Sequence, residues 1–142
     1  MDASKEKETN MATIGKRKRV VLIGTGGRAN AYLMYGTKEQ IELVGVADPN
    51  PDNRRVFLGL NSLVGRVPQF DDWRTMLDQV PAIDGAIITT PNHAHTEPAL
   101  ACMERGLVLA LEKPIAESPG NCRRLLEAKR RFQARVVVGF VL

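Results

Sequence analysis

The chain has 142 residues and a hydrophobic fraction of 44%, which suits one compact domain with a core and excludes a chain that is disordered throughout. The net charge of +4 comes mainly from the first 19 residues, whose surplus of three positive charges leaves a surplus of one in the other 123. We therefore expect no nucleic-acid partner, and because no apolar run approaches roughly 18 residues, we expect no membrane span.

Residues 1–18 are polar and basic, and we predict that they form a disordered tail before a single domain at 19–142. The basic cluster at 16–19 resembles the start of a secretory signal. However, the apolar residues after it, 20–23, are fewer than the roughly 7–15 that such a signal needs. A solvated lead-in to the first strand is the favoured interpretation, with binding to a polyanion or a nuclear signal as the alternative.

The first predicted strand, at 20–24, runs directly into a glycine-rich turn, Gly24-Thr25-Gly26-Gly27-Arg28-Ala29. Glycine at positions 24 and 26 permits a sharp turn and lets a pyrophosphate approach the backbone, while the small Ala29 lets the next helix pack closely on the strand. The N–H groups that open such a helix attract phosphate. The pattern predicts a dinucleotide site, although a glycine-rich turn alone also occurs as an ordinary tight turn.

Strand-like and helix-like segments alternate along the rest of the chain. Apolar runs typical of strands buried on both faces lie at 41–47, 85–89, 108–111 and 135–141, and a short edge strand is expected at 67–70. Apolar periodicity and capping residues predict helices at 52–60, 72–80, 96–105 and 118–132. This alternation indicates an α/β fold with a doubly wound parallel sheet between two layers of helices, the Rossmann arrangement.

Asp48 ends the second predicted strand, 24 residues after Gly24. A carboxylate near this spacing accepts a hydrogen bond from the ribose 2′-hydroxyl of NAD and would repel the 2′-phosphate of NADP. NAD is therefore the favoured cofactor, with NADP as a possibility because Arg54 and Arg55 follow in the next helix. The alternative is that Asp48 only closes an Asx-turn with Pro49 and Asn50.

Two later strand ends also carry polar residues, in the segments Thr89-Thr90-Pro91-Asn92-His93-Ala94-His95 and Glu112-Lys113-Pro114. Ligands of doubly wound sheets bind outside the carboxyl ends of the strands. We expect His95 either to line the cofactor cleft or to bond nearby backbone, and His93 to be exposed. Lys113 either acts as a general acid/base in the cleft or belongs to a surface Glu–Lys pair.

The two histidines lack a carboxylate at metal-ligand spacing, and Cys102 and Cys122 lie 20 positions apart in predicted helices. We therefore predict no metal site. Both cysteines are interpreted as buried free thiols, which is consistent with a reducing cytoplasm.

Together, the segments Gly24-x-Gly26-Gly27-Arg28, Val46-Ala47-Asp48, Thr89-Thr90-Pro91-Asn92-x-x-His95 and Glu112-Lys113-Pro114 resemble the Gfo/Idh/MocA oxidoreductase family over residues 19–142. The resemblance implies an N-terminal Rossmann domain that binds NAD(P), with most of the substrate pocket supplied by a larger C-terminal α/β domain. It also implies that Lys113 is the catalytic lysine beside the nicotinamide. The expected cofactor-binding residues are Gly24, Thr25, Gly26, Gly27, Arg28, Asp48, Thr90, Pro91, Asn92, His95, Glu112 and Lys113.

That second domain has no counterpart in the 142 residues, and the apolar end of the chain is atypical of a natural terminus. We therefore expect a truncated, inactive piece of a cytoplasmic homo-oligomer that transfers hydride between a nicotinamide cofactor and a sugar or polyol hydroxyl. The alternatives are a stand-alone dinucleotide-binding or regulatory module without turnover, and an NAD-dependent glycosidase of the same family.

Overall fold

A computed structural model describes residues 15–34 and 39–139 of the chain. Residues 1–14 of the predicted tail, and residues 140 and 141 of the last predicted strand, lie outside the described residues. The strands are β1 (Lys18–Ile23), β2 (Ile41–Ala47), β3 (Gln69–Phe70), β4 (Gly85–Ile88), β5 (Val108–Glu112) and β6 (Val136–Gly139). The α-helices are α1 (Ala29–Met34), α2 (Pro51–Leu60), α3 (Trp73–Gln79), α4 (Thr96–Glu104) and α5 (Pro119–Arg131).

Within the described residues every strand pair is parallel, and the strands lie in the order β3-β2-β1-β4-β5-β6. This order confirms the predicted doubly wound sheet. The strand order switches between β1 and β4, because β2 and β3 are added on one side of β1 and β4, β5 and β6 on the other. Ligands of such sheets bind at this switch point. The predicted edge strand is also present, and it is short because Pro68 has no N–H to donate to a neighbour.

Side chains of β1 alternate between two apolar layers. Val21 and Ile23 face the layer that α3, α4 and α5 cover, whereas Val20 and Leu22 face the layer that α1 and α2 cover. This alternation follows from the two-residue period of a strand, and a strand covered on both faces therefore reads as a continuous apolar run. Burial on both sides fixes the carboxyl ends of the strands relative to one another.

Capping residues start three of the helices. The Asn50 side chain accepts hydrogen bonds from the N–H groups of Asp52 and Asn53, Asp72 accepts one from Arg74, and Ser118 accepts one from Asn121. Asp72 and Ser118 thus precede the helices that they were predicted to begin. None of the described helices is long and apolar enough to cross a membrane.

Candidate dinucleotide-binding site

A cleft of about 690 Å³ lies at the carboxyl ends of β1, β2, β3 and β4. Its lining comes from the turns that follow these four strands. The lining residues are Ile23, Gly24, Gly26, Gly27, Arg28, Ala47, Asp48, Pro49, Asn50, Asn53, Asp71, Asp72, Trp73, Thr89, Thr90, Pro91, His93 and Ala94. The structure thus brings seven of the predicted cofactor residues to one cleft: Gly24, Gly26, Gly27, Arg28, Asp48, Thr90 and Pro91.

Gly24 joins β1 to the loop after β4. Its φ of +91° is a conformation that favours glycine, and an added Cβ would lie 2.6 Å from the backbone nitrogen of Thr90. The Thr89 hydroxyl donates a 2.7 Å hydrogen bond to the Gly24 carbonyl. An added Cβ at Gly26 or Gly27, by contrast, would meet nothing within 4 Å. Gly24 is therefore required by packing, whereas the space above Gly26 and Gly27 belongs to the cleft.

Asp48 fastens the end of β2 to the glycine turn. Its Oδ2 accepts hydrogen bonds from the backbone N–H of Thr25 at 2.9 Å and from the Thr25 hydroxyl at 3.1 Å, and its Oδ1 accepts one from the Asn50 N–H at 2.8 Å. The Asx-turn considered from the sequence is thus present on a residue that also lines the cleft. The Thr25 side chain lies buried against Asp48 and is absent from the lining.

His95 lies beneath the cleft instead of along it. The ring is fully buried, with Nδ1 2.8 Å from the Pro114 carbonyl oxygen and Nε2 2.8 Å from the Thr90 carbonyl oxygen. His95 therefore ties the loop after β4 to the loop after β5. His93 is exposed, as expected, and it contributes to the cleft.

We expect His95→Leu to lower the free energy of unfolding by about 1–3 kcal/mol, because the carbonyl group that accepts from the imidazole N–H loses its buried donor. The matched control is His93→Ala, whose exposed side chain should change it by no more than about 0.5 kcal/mol. Urea denaturation of both variants measures the difference. Equal small effects would mean that the two loops are held together without this imidazole.

Glu112 and Lys113 lie at the end of β5, outside the lining of the main cleft. Lys113 is exposed, whereas Glu112 is buried and accepts a 2.5 Å hydrogen bond from the Tyr32 hydroxyl. Arg28 connects the two regions, because it lines the cleft and its Nε lies 3.9 Å from Glu112 Oε1. Asn92 is exposed and does not line the cleft.

The sequence interpretation missed two contributors to this region. Trp73 falls in the helix predicted at 72–80 and packs against the core, but it also lines the cleft after β3 together with Asp71 and Asp72. Tyr32 lies four residues after Arg28. Residues at this spacing share one face of a helix, so a helix beginning at the glycine turn could have suggested the pair.

Other reactive groups give no second centre within the described residues. No group of three or more His, Cys, Asp or Glu side chains in this part of the chain could hold a metal ion. Burial raises the pKa of the Cys102 thiol to about 12, so it stays protonated and unreactive. The prediction that both cysteines are buried was wrong for Cys122, which is partly exposed near the edge of the sheet.

Comparison with known proteins places this geometry in a family. Residues 18–140 match the GFO_IDH_MocA family, described as an oxidoreductase family with an NAD-binding Rossmann fold. The chain is 31% identical over 124 residues to glucose-6-phosphate 3-dehydrogenase from Bacillus subtilis, which covers 87% of this chain and 33% of that protein. It is 32% identical over 124 residues to inositol 2-dehydrogenase from Pseudomonas fluorescens, which covers 84% of this chain and 36% of that protein.

A solved structure shares the fold. The WlbA dehydrogenase from Chromobacterium violaceum, determined with NADH and UDP-GlcNAcA, superposes with a TM-score of 0.76 at 24% identity, covering 88% of this chain and 35% of that one. The chain thus spans about a third of the length of the relatives that it matches. It belongs to the Gfo/Idh/MocA oxidoreductase family, and it forms the NAD-binding Rossmann domain of that family.

Proposed function

We propose that the protein transfers hydride between NAD and a carbon that carries a sugar or polyol hydroxyl, and that this domain holds the cofactor. The cleft formed by the four strand ends, with Arg28 reaching from it to Glu112, is the observation that carries the proposal. The two relatives described above, a glucose-6-phosphate 3-dehydrogenase and an inositol 2-dehydrogenase, support this substrate class.

Different residues of this chain would bind the cofactor and transfer the proton. The glycine turn would bind the pyrophosphate through backbone N–H groups, and Arg28 would add a charge-assisted contact. When bound, NAD supplies the carbon that accepts the hydride. Lys113, exposed at the end of β5, would take the proton from the substrate hydroxyl at its Nζ during oxidation and return it in the reverse direction.

An activity assay of this chain, and of any longer protein that contains it, tests the proposal. The protein would be incubated with NAD and a panel containing glucose 6-phosphate, inositol and related polyols, and the absorbance of NADH would be followed. NADH formation with a member of the panel supports the proposal. Tight NAD binding without NADH formation from any member would favour the module without turnover.

Preference for NAD over NADP is the second part of the proposal. Asp48 presents a carboxylate to the cleft, whereas neither Arg54 nor Arg55 lines it. Arg54 donates to the Asp48 carbonyl and to the Gln69 side chain. Arg55 pairs with Asp52 at 2.9 Å. A 2′-phosphate would therefore meet the Asp48 carboxylate, and either arginine would have to leave its present partners to pair with it.

We expect Asp48→Ala to weaken NAD binding about 10–100-fold, because a charged hydrogen-bond acceptor for the ribose is lost. NADP binding should weaken less, since the repulsion of its phosphate is lost at the same time. Thr25→Val is the matched control, because it removes one bond between Asp48 and the turn and leaves the ribose side intact. Calorimetric titration should show equal changes for both cofactors in this control, whereas equal losses in Asp48→Ala would contradict the ribose contact.

The oligomeric proposal rests on an uncovered part of the sheet. Val108 is 44% exposed and Val137 is 65% exposed, on the face of β5 and β6 opposite α4 and α5. No described helix covers these two side chains. Burial of such apolar surface drives association, and we propose that the isolated chain associates with itself through this face.

Sedimentation velocity measurements test this association. We expect the chain to sediment as an oligomer and Val137→Asp to shift it toward monomer, because a charge would have to be buried in the contact. Val56→Asp changes a similarly exposed valine on α2 and should leave the oligomer intact. A monomeric parent chain would overturn the proposal.

A further inference from the structure

The side chain of Glu112 has two oxygen atoms in unequal surroundings. Its exposed fraction is only 9%, and Oε2 accepts the 2.5 Å hydrogen bond from Tyr32. Oε1 is also buried, and no donor among the described residues lies within hydrogen-bonding distance of it. The nearest cation is the Arg28 guanidinium, whose Nε is 3.9 Å away. Oε2 therefore has a hydrogen-bond donor, whereas Oε1 has none among the described residues.

A buried carboxylate oxygen without a donor is unfavourable, since it has lost water without gaining a replacement. A carboxylate oxygen can only accept hydrogen bonds, so this place calls for a donor. Burial, followed by the hydrogen bond and the charge of Glu112, raises the pKa of the Tyr32 hydroxyl. The hydroxyl therefore remains protonated near neutral pH and stays a donor to Oε2.

The third element of this arrangement is Gly139 of β6, which lies opposite Glu112 in the parallel register. A Cβ added at Gly139 would lie 2.0 Å from the Tyr32 hydroxyl oxygen and 3.0 Å from Glu112 Oε2. The Tyr32 hydroxyl thus occupies the space that any larger residue at 139 would fill. The absence of a side chain at Gly139 therefore leaves room for the Tyr32 hydroxyl beside the Glu112 carboxylate.

The position of the free oxygen relates it to the cofactor site. Arg28 lines the cleft beside the glycine turn, and Lys113 follows Glu112 directly in the chain. Oε1 therefore lies 3.9 Å from a residue of the cleft lining, on the residue that precedes the proposed catalytic lysine. The nicotinamide half of a dinucleotide, with its ribose hydroxyls and carboxamide, offers donors for this place. The adenosine half would lie toward Asp48.

We propose that Tyr32 is a positioning residue: its hydroxyl holds Glu112 Oε2 and thereby presents Oε1 as the acceptor for a donor group on the nicotinamide half of the bound cofactor. This inference rests on the proposed function, because it requires NAD in the cleft. It assigns a role to a residue outside the glycine turn and outside the Glu112-Lys113-Pro114 segment. Tyr32 acts through Glu112 and need not contact the cofactor itself.

The test is calorimetric titration of this chain with NAD and, separately, with ADP, which lacks the nicotinamide half. Tyr32→Phe keeps the ring and removes the hydroxyl, and we expect it to weaken NAD binding about 3–10-fold while ADP binding stays unchanged. Glu112→Gln should act in the same selective way, because its amide replaces an acceptor. In the double variant the two losses should not add, since Tyr32 works through Glu112.

The outcomes separate this inference from the proposed function. Equal weakening of NAD and ADP in Tyr32→Phe would indicate general loosening of the domain and overturn the inference. Unchanged binding of both would overturn it too, and so would additive losses in the double variant. If the parent chain bound neither NAD nor ADP, the proposed cofactor site would be contradicted, and the inference that depends on it would be overturned as well. If the parent chain bound both ligands and Tyr32→Phe left the ratio of NAD affinity to ADP affinity unchanged, only the role of Tyr32 would be excluded.

Discussion

Gly24→Ala should destabilise the domain by about 3 kcal/mol or more. The alanine would have to adopt φ +91°, and its Cβ would lie 2.6 Å from Thr90 N and 2.7 Å from the Thr89 carbonyl carbon. Both contacts are with backbone atoms, so relief requires β1 to move away from the end of β4. Urea denaturation, followed by circular dichroism, would measure the loss as a lower midpoint.

Gly26→Ala provides the contrast within the same turn. A Cβ at this position meets nothing within 4 Å, so the free energy of unfolding should change by less than about 1 kcal/mol. NAD binding should nevertheless weaken strongly, because the methyl group would enter the space through which the pyrophosphate approaches. If the two alanine variants had the same stability, the close packing of Gly24 against the loop after β4 would be incorrect.

Lys113→Ala, in an active protein that contains this domain, should lower turnover about 10²–10⁴-fold, the usual contribution of a general acid/base. NAD affinity should change little, because Lys113 does not line the main cleft. Steady-state kinetics, combined with cofactor titration, would separate the two effects. Turnover that falls while NAD affinity holds assigns Lys113 to the chemical step.

Two further variants sharpen this test. Lys113→Arg keeps the positive charge but holds its proton too tightly to exchange it, so turnover should remain low if proton transfer is the function. Lys129→Ala removes an exposed lysine of α5 and should leave turnover unchanged. Normal turnover in Lys113→Ala would exclude the lysine from the mechanism.

The order of strands and helices could be predicted from the sequence because its signals are local. A continuous apolar run reports a strand buried on both faces, and Asn50, Asp72 and Ser118 cap helices through bonds that span two or three residues. The turn at Gly24 carries its own signal, since few other residues adopt its backbone conformation. The boundaries differed by a residue or two where a cap was counted as part of its helix.

The roles of buried polar residues could not be predicted in the same way, because their partners are distant in the chain. Tyr32 and Glu112 are 80 positions apart, and nothing in the short segment around either residue specifies the pairing. His95 belongs to a segment that the sequence already singled out. Its contacts, with one backbone carbonyl at each ring nitrogen, depend on how the loops after β4 and β5 pack beneath the cleft. Asp48 was expected at the cleft, but its bonds to Thr25 depend on how β2 lies beside β1.

The central claim is that NAD lies across the turn after β1, with its pyrophosphate at the backbone of Gly26, Gly27 and Arg28. Titration of the isotopically labelled chain with NAD, followed by amide nuclear magnetic resonance spectra, tests this position directly. We expect these three N–H signals to shift most, together with those near Asp48 and Thr90. Saturating NAD that left the turn signals in place, while other signals moved, would contradict it.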